Sequence, residues 1–136
     1  MTRPRAAVVL AAGQGTRMKS SLAKPLHAVG GKAMLAWAID LAQASQAERV
    51  VVVWGAHSPA VREAAEARGC EAALQDPPEG TGHAVLQAKD ALAGFSGDVI
   101  VLYADTPLIR PQTVEAAFAA LDADAGVAVV GFEPAD

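Results

Sequence analysis

Leu10-Ala11-Ala12-Gly13-Gln14-Gly15-Thr16-Arg17-Met18-Lys19-Ser20-Ser21-Leu22-Ala23-Lys24-Pro25 is the stretch on which the reading of this chain turns. An unbroken apolar run, Ala6 to Ala11, leads into it. Continuous rather than alternating apolar residues describe a strand buried on both faces. Gly13 and Gly15 then interrupt any regular structure, and Arg17, Lys19 and Lys24 follow within a few residues. Glycines let a backbone come close to a ligand and aim its N–H groups at it. Arginine adds a planar fork for phosphate oxygens and lysine a mobile point charge. The combination suits a polyphosphate, although the glycines alone fit an ordinary strand-to-helix turn equally well.

Two familiar phosphate motifs are excluded. Gly13-Gln-Gly-Thr-Arg-Met has the first two glycines of a dinucleotide fingerprint but Met18 in the place of the third. No acidic residue caps a second strand about 20 residues on, so a dehydrogenase is disfavoured. Gly30-Gly31-Lys32 is followed by Ala33, and no stretch matches the P-loop pattern.

The whole-chain figures narrow the class. A length of 136 residues fits one domain with a single core. With 52% apolar and 19% charged residues the chain is globular rather than disordered. Aromatics make up only 4%, so Ala, Val and Leu must build the core. The single cysteine, Cys70, excludes an intrachain disulfide and fits a reducing compartment. Arg3 and Arg5 ahead of an apolar segment imitate a signal peptide, but that segment is short and ends in a glycine loop. No apolar run nears the roughly 20 residues of a membrane span. The expectation is a cytoplasmic protein.

The net charge of −4 conceals an asymmetry. Arg3, Arg5, Arg17, Lys19, Lys24 and Lys32 all precede the first acidic residue, Asp40, so the first 39 residues carry +6 and the remainder −10. A cationic end on an acidic chain suits a compact anionic ligand better than a long nucleic acid. Scattered surface charge is the plainer account, but these cations gather at the glycine loop.

Strand and helix patterns alternate along the chain. After the first strand, Leu26 to Val29 reads as a short extended piece closed by a Gly30-Gly31 turn. A helical pattern spans Lys32 to Ala44, with Met34 and Trp37 on its apolar side expected in the core. Val50 to Trp54 is a second apolar strand. Ser58-Pro59 opens a helix with Ser as N-cap, and Gly69 stops it. Glu71 to Leu74 is a short strand, Thr81 caps a helix over about Gly82 to Leu92, and Asp98 to Tyr103 is a further strand. Pro111 starts a helix to about Leu121, and Ala125 to Phe132 is a last strand. The pattern predicts an α/β fold, a Rossmann-like three-layer α/β/α arrangement with a mainly parallel sheet. Ligands in such folds sit beyond the carboxyl ends of the strands. The loops at Ala12–Lys24, Gln75–Thr81 and Ala104–Pro107 all follow strands and should converge there.

Three motifs together carry a family resemblance. Leu10-Ala-Ala-Gly-Gln-Gly-Thr-Arg-Met with Lys24-Pro25 resembles the signature of sugar-1-phosphate nucleotidylyltransferases. Gln75 with Gly80-Thr-Gly-His-Ala, and then Leu102-Tyr-Ala-Asp-Thr-Pro-Leu, are similar to the uridylyltransferase parts of the bifunctional bacterial enzymes that make UDP-N-acetylglucosamine. The likeness covers essentially the whole chain in order and spacing. It implies that Leu10, Ala11, Ala12 and Gly13 wrap the nucleoside and phosphates, and that Arg17 and Lys24 form the basic pair on the triphosphate. It implies that Gln75 faces the uracil edge, with Gly80 and Thr81 completing the base pocket. Tyr103, Ala104 and Asp105 then lie under the ribose and metal, with Asp105 the magnesium ligand. The family usually has Gly where this chain has Ala104, and the extra methyl could crowd the nucleotide.

The residue types suit these roles. A side-chain amide offers a donor and an acceptor together, so Gln75 could read an imide edge, or simply cap its loop. Asp105 closes an apolar strand, where a carboxylate is costly unless paired or metal-bound. Magnesium takes one or two carboxylates plus phosphate oxygens, while an Asx-turn before Pro107 is the alternative. Asp76 and Glu79 flank the base loop as solvated groups. His27, His57 and His83 lack metal-cluster spacing and read as structural or surface residues, and Cys70 gets no nucleophilic role.

The resemblance thus implies transfer of a uridylyl group from UTP to N-acetylglucosamine 1-phosphate with Mg2+, giving UDP-N-acetylglucosamine and pyrophosphate for cell-wall precursor synthesis. It also implies that residues 1–136 are the nucleotide-binding part of that domain. The sugar contacts, the second metal ligand and the trimer-forming acetyltransferase β-helix belong farther along in such enzymes. The expectation is therefore a monomeric piece that binds nucleotide and is catalytically incomplete, within a family of homotrimers. Its partners are UTP and a sugar 1-phosphate, with neither nucleic acid nor membrane. A guanylyl- or cytidylyltransferase, including the molybdenum-cofactor type, and a non-catalytic nucleotide-binding module stay open as alternatives.

Overall fold

Strand β1 (Arg5–Ala11) occupies the middle of the sheet because its side chains are small and apolar on both sides. Ala6, Ala7, Val8 and Val9 have no solvent exposure. A computed structural model of the chain describes residues 3–12, 24–77, 79–105 and 109–122. Gly13, Arg17, Lys19 and the expected strand over Ala125–Phe132 lie outside the described residues.

In chain order, β1 is followed by a 3-10 turn (Lys24–Leu26), a hairpin of β2 (Ala28–Val29) and β3 (Lys32–Ala33), and helix α1 (Met34–Ala44). Then come β4 (Arg49–Gly55), α2 (Pro59–Ala67), β5 (Glu71–Gln75), α3 (Thr81–Gln87), β6 (Asp98–Tyr103) and α4 (Pro111–Asp122). The main sheet has the order β5-β4-β1-β6, and every pairing in it is parallel. Val9 lies between Val52 and Leu102, and Leu10 between Val53 and Tyr103. The expected α/β architecture with a parallel sheet is therefore present.

The pleat divides the core in two. Ala7, Val9 and Ala11 face the side covered by α1, α2 and α4, where Leu35, Ile39, Val61, Val114 and Phe118 pack. Val8 faces the other side with Val51 and Val53, and Ala84 of α3 and Ala88 cover it. That second layer is narrow. Val99, Val101 and Tyr103 of β6 share its face but are about 40% exposed, so this apolar strand is covered on one face and open on the other.

Several local expectations change with the geometry. Gly30 and Gly31 have φ of 61° and 80°, as a tight hairpin turn needs. Trp37 leaves the core to hold that hairpin on α1. Its Nε1 donates to Val29 O at 2.8 Å, and Lys32 Nζ stands 4.3 Å from its ring centroid. Ser58 occupies the N-cap of α2 but makes no side-chain cap bond there. The cap of α3 is Gly80, not Thr81, and α3 ends at Gln87 rather than near Leu92. Gly80 has φ 99° and ψ 179°, a conformation essentially confined to glycine.

Phe118 fastens α4 to the sheet and is 2% exposed. The Arg5 guanidinium lies 4.2 Å from its ring centroid, while Arg5 Nη1 donates to Glu115 Oε1 at 2.8 Å and to Ser45 O at 3.1 Å. One residue of β1 thereby joins the end of α1 to α4. Phe118→Ala should destabilise the protein by about 3–5 kcal/mol, measured by urea unfolding. A loss below about 1 kcal/mol would mean that α4 does not contribute to the core.

Candidate functional site

Parallel pairing in register makes β1, β5 and β6 end on the same edge of the sheet, and the loops that leave them share one pocket there. The pocket has a volume of about 330 Å3. Leu10, Ala11 and Ala12 form its floor at the end of β1. Gln75, Gly80 and Thr81 line one wall and Tyr103, Ala104 and Asp105 another. Lys24 and the buried Pro25 enter from the 3-10 turn. Every binding residue expected from sequence that lies among the described residues lines this pocket. Gly13 and Arg17 lie outside them.

Each wall has a local cause. Pro25 is buried and Met34 N–H donates to His27 O at 2.9 Å, so the turn carrying Lys24 is tied to the start of α1. Ala104 N–H donates to Leu10 O at 3.0 Å, continuing the ladder one residue past β6 and holding Asp105 beside the end of β1. Ala104 is buried at 1% exposure and lies in the same core layer as Leu102 and Phe118, so it reaches the pocket lining from a packed position.

Lys24 Nζ and Asp105 Oδ2 stand 3.6 Å apart across the mouth. Their side chains are 42% and 45% exposed, so the expected desolvation cost at Asp105 does not apply. The carboxylate sits at an open rim, where ligand oxygens and a cation have access. No group of three or more His, Cys, Asp or Glu side chains among the described residues could hold a metal ion. A single carboxylate fits magnesium shared with phosphate oxygens better than a cation caged by protein alone.

Gln75 is of the opposite kind, with only 4% exposure. Its Nε2 donates to Gly80 O at 3.1 Å and lies 2.9 Å from His83 Nδ1. His83 Nε2 is 3.9 Å from Glu79 Oε2. His83 and Glu79, which by sequence alone read as structural and solvated residues, are thus linked to the buried Gln75 amide. Their helical spacing is visible in sequence, but only the return of α3 against β5 brings His83 to Gln75. Cys70 is remote from the pocket lining, and burial raises its thiol pKa despite the opposing Arg68 charge, in keeping with the absence of a nucleophilic role.

The MobA-like NTP transferase domain family matches residues 7–135. The chain belongs to that nucleotidyltransferase family. It is 64% identical over 136 residues to the bifunctional protein GlmU of Maricaulis maris, covering 100% of this chain and 30% of that protein. It is 57% identical over 133 residues to the bifunctional protein GlmU of Caulobacter vibrioides, covering 96% and 29% respectively. The chain thus spans about 30% of the length of these relatives. Among solved structures, Rv0371c from Mycobacterium tuberculosis aligns with a TM-score of 0.75 at 21% identity, over 90% of this chain and 63% of that one. A nucleotidyl transferase from Methanothermobacter thermautotroptrophicus aligns with a TM-score of 0.70 at 21% identity, over 85% and 57%. These structures share the fold. No helix among the described residues is long and apolar enough to cross a membrane.

The exposed Lys24–Asp105 pair is worth at most about 1 kcal/mol to the fold. Asp105→Asn should therefore shift the unfolding free energy by less than about 1 kcal/mol in urea titrations. A larger loss would make Asp105 an architectural residue rather than one kept for a ligand.

Proposed function

We propose that this member of the MobA-like NTP transferase family transfers a uridylyl group from UTP to a sugar 1-phosphate, N-acetylglucosamine 1-phosphate on the motif resemblance, releasing pyrophosphate. The observation that carries this reading is the pocket itself. A buried amide on one wall faces the same space as a lysine and a carboxylate at the mouth. A neutral reader of bases and a charged holder of phosphates are the two things a nucleoside triphosphate site needs.

The reaction is an in-line displacement. An oxygen of the sugar phosphate forms a bond to the α-phosphorus, and the bond from that phosphorus to the bridging oxygen breaks. The electron pair leaves with pyrophosphate. The attacking phosphate is largely dianionic at neutral pH, its second pKa being near 6, so no general base is required. Repulsion between two polyanions is the obstacle, and relieving it is a matter of charge and alignment. Lys24 carries positive charge to the pocket mouth, and Arg17, outside the described residues, is assigned the same task. Asp105 would hold magnesium jointly with triphosphate oxygens, and the bound ion supplies neutralisation and alignment. Leu10, Ala11, Ala12 and Gly13 provide backbone for the nucleoside and phosphates. Tyr103 and Ala104 lie beneath the ribose, and Gln75, Gly80 and Thr81 meet the base.

For the isolated 136-residue chain, with 30% of the relatives' span, the proposal is nucleotide binding with little turnover. In the full-length protein, Arg17→Ala and Lys24→Ala should each lower pyrophosphate release at least about tenfold, or 1.4 kcal/mol. Unchanged turnover in both would remove them from the reaction. Competition among UTP, CTP and GTP for the full-length protein tests the base. A preference for CTP or GTP would replace uridylyl by another nucleotidyl transfer, and no binding of any triphosphate would overturn the reading altogether.

A further inference from the structure

The Gln75 amide is oriented by groups that lie behind it. Gly80 O can only accept, and it already receives Ala84 N–H at 3.0 Å. Gln75 Nε2 meets the same oxygen at 3.1 Å. Were the amide turned over, Oε1 would face another acceptor, so the backbone dictates which end points there. Gly80 can present its carbonyl in this direction because its φ of 99° is open to glycine.

The second Nε2 hydrogen is claimed as well. His83 Nδ1 lies 2.9 Å from Nε2, and against an NH2 group that ring nitrogen must be the bare, accepting one. The ring proton then resides on Nε2, and that nitrogen faces the Glu79 carboxylate at 3.9 Å. A negative group on that side favours this tautomer. Both donors of Gln75 are spent inside the protein. Its Oε1 is the group left over, and no described residue donates to it.

We infer that His83, held in its Nε2–H form beside Glu79, is a positioning residue that makes Gln75 a pure hydrogen-bond acceptor and so selects bases presenting a ring N–H. Uracil offers such a group at N3. Cytosine offers a bare nitrogen there and sets lone pair against lone pair. This revises the expectation that Gln75 offers the base a donor and an acceptor together, and it rests on the reading of Gln75 as the base-facing residue.

The test compares steady-state kinetics of the full-length protein with UTP and CTP. His83→Leu keeps the bulk and removes the accepting nitrogen, which frees the buried amide to turn a donor toward the base. The expected result is a rise in KM for UTP of about five- to tenfold with kcat within about twofold, and a matching fall in the preference for UTP over CTP. His83→Asn places Oδ1 near the former Nδ1 and should restore most of that preference. Gln75→Ala separates the two layers of the argument. If it leaves the UTP preference intact, the base-facing role of Gln75 is wrong. If it abolishes the preference while His83→Leu does not, Gln75 reads the base without His83. Long-range 1H–15N spectra of the unaltered protein give an answer independent of any variant's folding. They should show neutral His83 protonated on Nε2, and protonation on Nδ1 would overturn the inference.

Discussion

Everything in this molecule hangs on β1 being paired on both sides in parallel. A parallel ladder with helices on its faces demands strands without large polar side chains, and Ala6-Ala7-Val8-Val9 meets that demand with no exposed surface. The constraint is also directional. When β4 and β6 align with β1 and β5 aligns with β4, their carboxyl ends finish together, and whatever chemistry the next loops carry is gathered at one edge. Lys24, Gln75 and Asp105 are far apart in sequence and have no local reason to meet. The shared strand direction brings them to one pocket.

This explains why so much could be read in advance. The strands of the main sheet announce themselves as apolar runs, and the observed β6 begins and ends at the residues expected. The convergence of the three loops follows from alternation of strand and helix alone, without knowledge of any side-chain contact. What could not be read is whatever depends on two segments touching. Trp37 looks like a core residue by its helical spacing, yet a hairpin carbonyl takes its N–H. Thr81 is the side-chain capping candidate visible in sequence, but Gly is about as good an N-cap as Thr, and the chain enters α3 at a φ that only glycine adopts easily, which moves the cap back by one. Asp105 reads as a costly buried carboxylate because its strand is apolar. In fact β6 is the edge strand of the described sheet and its last turn is open.

The opened rim changes the argument for Asp105 rather than removing it. An exposed carboxylate beside an exposed lysine contributes little to stability. Such groups at a pocket mouth can exchange each other for a ligand at small cost, whereas a dry ion pair would have to be broken first. On the proposed reading, charge that is to receive a triphosphate and a cation is better kept wet and mobile until they arrive. The high exposure of both side chains agrees with a reception role, and the ladder bond from Ala104 N–H to Leu10 O keeps the carboxylate within reach of the floor.

The wall that carries Gln75, proposed above to meet the base, follows the reverse rule, and on that proposal the contrast follows from what each wall must distinguish. Phosphates are recognised by charge, which acts over several ångströms and tolerates loose placement. Bases differ by the location of single hydrogens, so a reader must present a donor or an acceptor at a fixed point, and an amide free to rotate presents both. Immobilising it requires partners for the end that is not used. Gly80 O and His83 Nδ1 together take both hydrogens of one nitrogen, which is the most an amide can give from that end. Burial to 4% exposure withdraws the water that could substitute for either partner. A buried, doubly anchored amide is thus rigid for the same reason that the lysine and carboxylate opposite it are not: discrimination between bases fails if the reader can turn, while attraction of phosphates does not.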